Sequence, residues 1–123
     1  MLKLWPSLKQ YQNMSKVKFI NHYDEDLKRT FEIPEYDLRG EMNMDDFVKT
    51  DPALFNAAIL NALYNGITMD LDAVPAFAVK GTENCFNIIK EDYTEKLDIC
   101  LTFFEEIEEY EICKTLIELK AKL

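Results

Sequence analysis

Alternation of apolar and polar residues is the first signal along the chain. In residues 16–23 (KVKFINHY), Val17, Phe19 and Tyr23 share one predicted face, and His22 falls on the polar face. A period of two residues is typical of a strand that is buried on one side. The pattern predicts a first strand over residues 16–23.

A second alternating segment follows a short polar turn. Residues 28–33 (KRTFEI) place Phe31 and Ile33 on the inward face, and Pro34 ends the pattern because proline donates no hydrogen bond to a sheet. The acidic residues 24–26 between the two segments have the composition of a turn. Together the two segments predict a β-hairpin.

The period then changes to that of a helix. Asp51 and Pro52 form a start signal, because an aspartate can cap free amides and proline suits the first helical position. Residues 53–64 (ALFNAAILNALY) are rich in helix formers, and Asn65-Gly66 predicts the helix end. One face of this helix is apolar and consists of Phe55, Ala58, Ile59, Ala62 and Leu63.

Two further apolar runs predict a second hairpin. Residues 74–80 (VPAFAVK) and 85–90 (CFNIIK) are separated by Gly-Thr-Glu-Asn, which is a turn composition. With two helices to follow, the element order is ββ-α-ββ-αα. This order predicts an α+β fold, with a small antiparallel sheet of two β-hairpins in place of a βαβ chain.

The last segment, residues 92–123, predicts a helical hairpin. Asp92 and Glu95 have the spacing of a capping box, and the chain is expected to break near Glu108 and Glu109. The first helix has an apolar stripe at Tyr93, Leu97, Cys100, Leu101, Phe104 and Ile107. The second helix aligns Ile112, Leu116, Leu119 and Leu123, flanked by Cys113 and Ile117.

Residues 104–123 (FEEIEEYEICKTLIELKAKL) resemble the UVR motif, the helical hairpin of excision-nuclease subunits and of some adaptors and regulators of Clp-type proteases. Tyr110-Glu111 matches the aromatic-Glu element of that motif, and residues 116–123 match its closing leucines. Cys113-Lys114 replaces the usual pair of small residues, and Glu118 stands near the usual Arg-Asp, whose basic residue is missing. The resemblance implies a hairpin that makes protein–protein contacts and has no catalytic role.

Length and charge narrow the possible functions. The 123 residues fit one α+β domain over residues 14–123, with residues 1–13 either a flexible arm or a misassigned start. The formal charge is −9, made up of +2 in residues 1–33 and −11 in residues 34–123. Such acidity disfavours direct DNA or RNA binding and suits a basic protein partner, although acidity can also simply maintain solubility. No apolar run is long enough to span a membrane.

Catalytic chemistry has little support in the sequence. His22 is the one histidine, no metal-ligand spacing surrounds it, and a solvent-facing structural role is expected. Cys85, Cys100 and Cys113 lack a CxxC spacing and are expected to be buried free thiols in a reducing, cytoplasmic compartment. No phosphate-binding glycine loop is present. We therefore expect no enzyme activity, no catalytic residues, no cofactor and no metal.

The leading hypothesis is a non-enzymatic adaptor or accessory subunit that docks through its C-terminal hairpin. Its expected partner-binding residues are the apolar or aromatic Ile99, Phe103 and Tyr110 and the acidic Glu105, Glu106, Glu108 and Glu109. One alternative is a nucleic-acid-mimicking inhibitor, similar in general character to accessory proteins of bacteriophages. Another is a structural component of a larger assembly such as a virion. A second copy of the chain is a further candidate partner.

Overall fold

The computed structural model describes residues 17–36, 52–80 and 85–123. The expectations for residues 1–13, for the Asp51 cap and for the turn at residues 81–84 lie outside these ranges. The described strands are β1 (Val17–Asp24), β2 (Arg29–Tyr36), β3 (Ala73–Val79) and β4 (Cys85–Ile89). The helices are α1 (Pro52–Thr68), α2 (Tyr93–Glu106) and α3 (Tyr110–Lys120), with a 3-10 turn (Lys90–Asp92) before α2. The fold is broadly α+β as predicted, and within the described ranges the predicted order ββ-α-ββ-αα differs only by the added 3-10 turn.

The sheet is mixed, so the prediction of an antiparallel sheet was wrong at its centre. The four strands lie in the order β1-β2-β3-β4, and both hairpins are antiparallel. The strands that join the hairpins, β2 and β3, are parallel, with Tyr36 paired to Val79. The amide of Lys80 extends this pairing by donating to the carbonyl of Tyr36 over 2.8 Å. The segment β2-α1-β3 is therefore a βαβ crossover, contrary to the prediction of two hairpins in an antiparallel sheet.

The length of α1 is compatible with the parallel pairing. Its 17 residues extend for about 25 Å at a rise of 1.5 Å per residue, which matches the length of an eight-residue strand. A helix of that length can return the chain along β2, and the two strands then pair at their ends, Glu35 with Ala78 and Tyr36 with Val79, running in the same direction. The hairpin patterns contain no information about this long-range step.

The register of the first hairpin corrects the expected faces of β1. Asp24 pairs with Arg29 across a four-residue turn, which places His22 opposite Phe31. Residues directly opposite in an antiparallel pair lie on the same face, so His22 shares the face of the buried Phe31. His22 is therefore half-buried, whereas Tyr23 is 55 % exposed.

Helix α1 forms the centre of the core. It begins at Pro52 as predicted, but it continues through Gly66 to Thr68. It is buried on more than the predicted face, because Ala57 and Leu60 are also inaccessible to solvent. The helix packs on β3 on one side and on the C-terminal helices on the other, which is typical of a helix that is apolar almost all round.

The C-terminus of α1 is closed by a left-handed residue and two backbone hydrogen bonds. Asp70 adopts the left-handed conformation, with φ of 52°. The amide of Leu71 donates to the carbonyl of Gly66 over 2.8 Å, and the amide of Asp70 donates to the carbonyl of Ile67. These two bonds form a Schellman motif, so an aspartate takes the place where glycine is usual.

The C-terminal hairpin has the predicted break and a different start. Asp92 makes no capping hydrogen bond from its side chain, so the expected capping box was wrong. The reason is that Asp92 already has helical dihedrals at the end of the 3-10 turn, whereas a capping side chain needs an extended backbone. At the break, Glu108 has φ of 61°, and the backbone amide of Glu109 donates to the carbonyl of Phe104 over 2.9 Å.

Most of the predicted apolar stripe enters the core. Its fully buried members are Tyr93, Leu97, Cys100, Phe104, Leu116 and Leu119. Leu101 is only half-buried, and Ile107 and Leu123 are exposed because the helices end before them. Among the helices described, none combines the length and apolar character that a membrane crossing requires.

Candidate protein-binding groove

An open groove lies on the outer surface of the helical hairpin. It has a volume of about 550 Å³ and is lined by Tyr110, Cys113, Lys114, Ile117 and Glu118 of α3 and by Glu105 of α2. An open groove does not enclose a ligand as small-molecule sites do. Its shape suits a side chain presented by another macromolecule.

Two large apolar side chains form the walls of this groove. Tyr110 is 66 % exposed and Ile117 is 58 % exposed, and both belong to α3. They are seven residues apart, which places them on the same side of the helix, two turns from each other. Between them the buried Cys113 forms the floor. Apolar side chains grouped in this way on a surface are typical of binding sites.

The rim of the groove is acidic. Glu105 and Glu118 contribute two carboxylates, against one ammonium group from Lys114. Beyond the groove, Glu106 and Glu108 are exposed at the helical turn and Glu109 is half-buried. Because Glu105, Glu106, Glu108 and Glu109 lie at the turn end of the hairpin, a positively charged group would be attracted there.

One ion pair joins the two helices at the opposite end. Lys120 Nζ of α3 lies 2.8 Å from Asp98 Oδ1 of α2, with both side chains about half exposed. Pairs of such exposure contribute at most about 1 kcal/mol. The contact therefore fixes the relative position of the helices more than it stabilises them.

The structure separates the predicted partner-binding residues into two groups. Glu105 and Tyr110 line the groove. Ile99, which is 50 % exposed, and the half-buried Phe103 lie on another flank of α2, more than about 100° around the helix from Glu105. Phe103 also packs edge-on against Phe104, with ring centroids 5.2 Å apart. A single partner side chain cannot touch both groups.

A thiol–imidazole contact forms a second cluster, which the sequence reasoning missed. Cys85 Sγ of β4 lies 3.4 Å from Nδ1 and 3.6 Å from Nε2 of His22 in β1. These strands are the two outer members of the described sheet, and in a flat sheet they would be about 14 Å apart. The contact therefore shows that the sheet is not flat between β1 and β4.

The electrostatics of this cluster oppose an activated nucleophile. Burial, and then the Asp24 carboxylate, raise the pKa of the Cys85 thiol. A nucleophilic cysteine needs a lowered pKa, because the thiolate is the reactive form. The sulfur is also nearly equidistant from the two ring nitrogens, so it is aligned with neither as a hydrogen-bond partner. The contact favours a neutral thiol.

The other cysteines are more deeply buried. All three are free, and burial raises the pKa of Cys100 to about 12. Burial and the nearby Glu105 carboxylate raise the pKa of Cys113. Within residues 17–36, 52–80 and 85–123, no group of three or more His, Cys, Asp or Glu side chains is placed to hold a metal ion.

The role of Ile117 in the groove was also missed. Sequence reasoning treated it as a flank of the buried stripe, whereas its seven-residue spacing from Tyr110 is the signal that could have identified it. No protein-family model, curated protein or solved structure matches this chain.

Proposed function

We propose that this protein is a non-enzymatic interaction module that docks a protein partner in the groove between α2 and α3. The observation that carries the proposal is the pair Tyr110 and Ile117, two large apolar side chains that are mostly exposed and line the same groove. Exposed aromatic and aliphatic groups of this kind serve as anchors in protein interfaces. The resemblance of residues 104–123 to the UVR-type hairpin supports the same role.

The acidic rim supports a partner with a positive surface. Carboxylates at the edge of an interface mainly speed association and select the partner, whereas the apolar anchors limit dissociation. Tyr110 and Ile117 are therefore the affinity determinants. Glu105 and Glu118 are the selectivity determinants.

In-cell photocrosslinking tests the proposal. The full chain, with a photoreactive phenylalanine analogue in place of Tyr110, is irradiated in its native cell. A matched sample carries the analogue in place of Ile99, which is similarly exposed on the other flank of α2. We expect a discrete crosslinked partner from position 110 and none from position 99. The crosslink should disappear when Ile117→Gln is added, because glutamine keeps the helix and removes the apolar wall.

Two results would count against docking in the groove. Equal crosslinking from positions 110 and 99 would place the contact outside the groove. Crosslinking from position 110 that is unchanged by Ile117→Gln would do the same. Crosslinking to a nucleic-acid-handling enzyme that disappears when a lysate is irradiated at about 1 M salt, where the Debye length is about 3 Å, would favour nucleic-acid mimicry instead. Crosslinking of the chain to itself alone would favour a structural assembly.

A further inference from the structure

The residues of α3 that line the groove have a specific spacing. Tyr110, Cys113, Lys114 and Ile117 stand at positions i, i+3, i+4 and i+7 of one helix. Four residues at this spacing form the hole that receives one side chain of a facing helix in knobs-into-holes packing. Resting on the docking role proposed above, we infer that the partner presents an amphipathic α-helix, with one apolar side chain in this hole and Lys or Arg beside it.

The dimensions of the hole agree with a single inserted side chain. Positions 110 and 117 are about 10.5 Å apart along the axis of α3, which leaves room for one branched or aromatic residue above Cys113. Cys113 is almost fully buried, so the floor is apolar. Lys114 closes the fourth side with its aliphatic stem and can keep its ammonium group in water.

The partner's backbone should be helical because the groove offers no backbone groups for an extended peptide to pair with. The groove is formed by side chains of two helices and presents no strand edge for pairing. An extended peptide placed there would lose water from its amides and carbonyls without gaining partners for them. In a helix, the backbone amides and carbonyls are already hydrogen-bonded to each other.

The flanking charges specify the rest of the partner. Glu105 lies on the α2 side of the hole and Glu118 lies on the far side. Charged residues beside the apolar seam determine which helices pair in coiled coils. Two carboxylates beside one hole therefore favour a knob flanked by Lys or Arg, and they disfavour one flanked by Glu or Asp.

The same charges disfavour a second copy of this chain as the occupant. Each chain has a formal charge of −9 and would bring its own acidic turn to the contact. A basic helix of another protein fits the groove better than this chain does.

The test uses designed helices as probes against the full-length protein. The first probe is a fluorescein-labelled helical peptide of about 21 residues, cross-linked to hold its helix, with Leu knobs at heptad spacing and flanking Lys. The second replaces the central Leu with Ala, and the third replaces each Lys with Glu. Fluorescence anisotropy gives Kd for each probe against the wild type, Ile117→Gln and Ile99→Gln.

We expect the Leu/Lys probe to bind, the Ala probe to bind at least about tenfold more weakly, and the Glu probe to show no binding. Ile117→Gln should weaken the Leu/Lys probe by about tenfold, and Ile99→Gln should leave its Kd unchanged. Equal binding of the Lys and Glu probes would overturn the charge assignment. A Kd that is unchanged when the central Leu is replaced by Ala, or when Ile117 is replaced by Gln, would contradict the insertion of one side chain into the hole.

Two further outcomes separate this inference from the docking role. If no probe binds at about millimolar concentration while position 110 still crosslinks a partner, the helical knob is wrong and the docking surface stands. If sedimentation shows a wild-type dimer that Ile117→Gln converts to a monomer, the occupant is a second copy. Loss of all crosslinks from position 110 removes the docking role itself.

Discussion

A Cβ atom placed on Gly66 would lie 2.5 Å from the hydroxyl oxygen and 2.8 Å from Cζ of Tyr93. Gly66 is inside α1, and Tyr93 is the first residue of α2, so this contact sets how closely the two helices approach. The Tyr93 hydroxyl donates to the carbonyl of Leu71 over 2.8 Å, which holds the ring in place. Gly66, which the sequence predicted as the end of α1, instead allows α1 and α2 to pack closely.

The first prediction concerns this contact. Gly66→Ala should lower the free energy of unfolding by about 1–3 kcal/mol, because the strain of overpacking exceeds the gain in helix propensity. The measurement is urea denaturation followed by circular dichroism. Asn65→Ala, one position earlier in α1, is the control and should be neutral or slightly stabilising. A Gly66→Ala protein as stable as the control would contradict the close approach.

The second prediction concerns alkaline pH. Burial, with the Asp72 and Asp70 carboxylates, raises the pKa of Tyr93 from 10.0 to about 12. A phenol that binds its proton more tightly in the folded state contributes stability that is complete below pH 10.0 and is lost as pH rises towards 12. Wild type should therefore lose stability over this window more steeply than Tyr93→Phe.

At neutral pH, Tyr93→Phe should cost about 1 kcal/mol, because the Leu71 carbonyl loses its donor. Urea titrations of both proteins at several pH values provide the comparison. If the free energies of unfolding of the two proteins fall in parallel above pH 10.0, Tyr93 does not cause the loss of stability at alkaline pH.

The third prediction concerns the helical turn. Glu108 has φ of 61°, a conformation that costs a residue with a Cβ about 1–2 kcal/mol. Glu108→Gly should therefore raise the free energy of unfolding by about 1 kcal/mol. Glu105 lies inside α2, so Glu105→Gly removes the same charge and should destabilise by about 0.5–1 kcal/mol. Chemical denaturation of the pair tests this, and shifts of the same sign would contradict the turn geometry.

The fourth prediction concerns thiol reactivity. Cys85 is half-buried, whereas Cys100 and Cys113 are buried, so iodoacetamide should label Cys85 first under native conditions. Labelling at pH 8 should be slower than for a free cysteine peptide, because the pKa of Cys85 is raised. Asp24→Asn removes a charge that raises this pKa and keeps an oxygen acceptor for the Leu27 amide, so it should speed labelling. Mass spectrometry of quenched samples measures the rates, and faster labelling of Cys100 would contradict the burial.

The candidate site was predictable only in part. Tyr110 and Glu105 were expected to bind a partner, and they do line the groove. The sequence grouped them with Ile99 and Phe103, which the fold places on another flank of α2. Ile117 was missed, because periodicity alone does not show which side of a two-sided apolar helix meets the core. The contact between His22 and Cys85 joins residues 63 positions apart, and no local pattern could indicate it.

Features that depend on neighbouring residues could be predicted from the sequence alone. These are the element order, the start of α1 at Pro52 and the break between α2 and α3. Periodicity and turn chemistry act over a few residues, so they are visible in one chain. Three features became visible only in the folded chain: β2 and β3 run parallel, His22 lies opposite Phe31, and Gly66 packs against Tyr93. These contacts join distant segments, and a shift of one residue in register would reverse which face of a strand is buried.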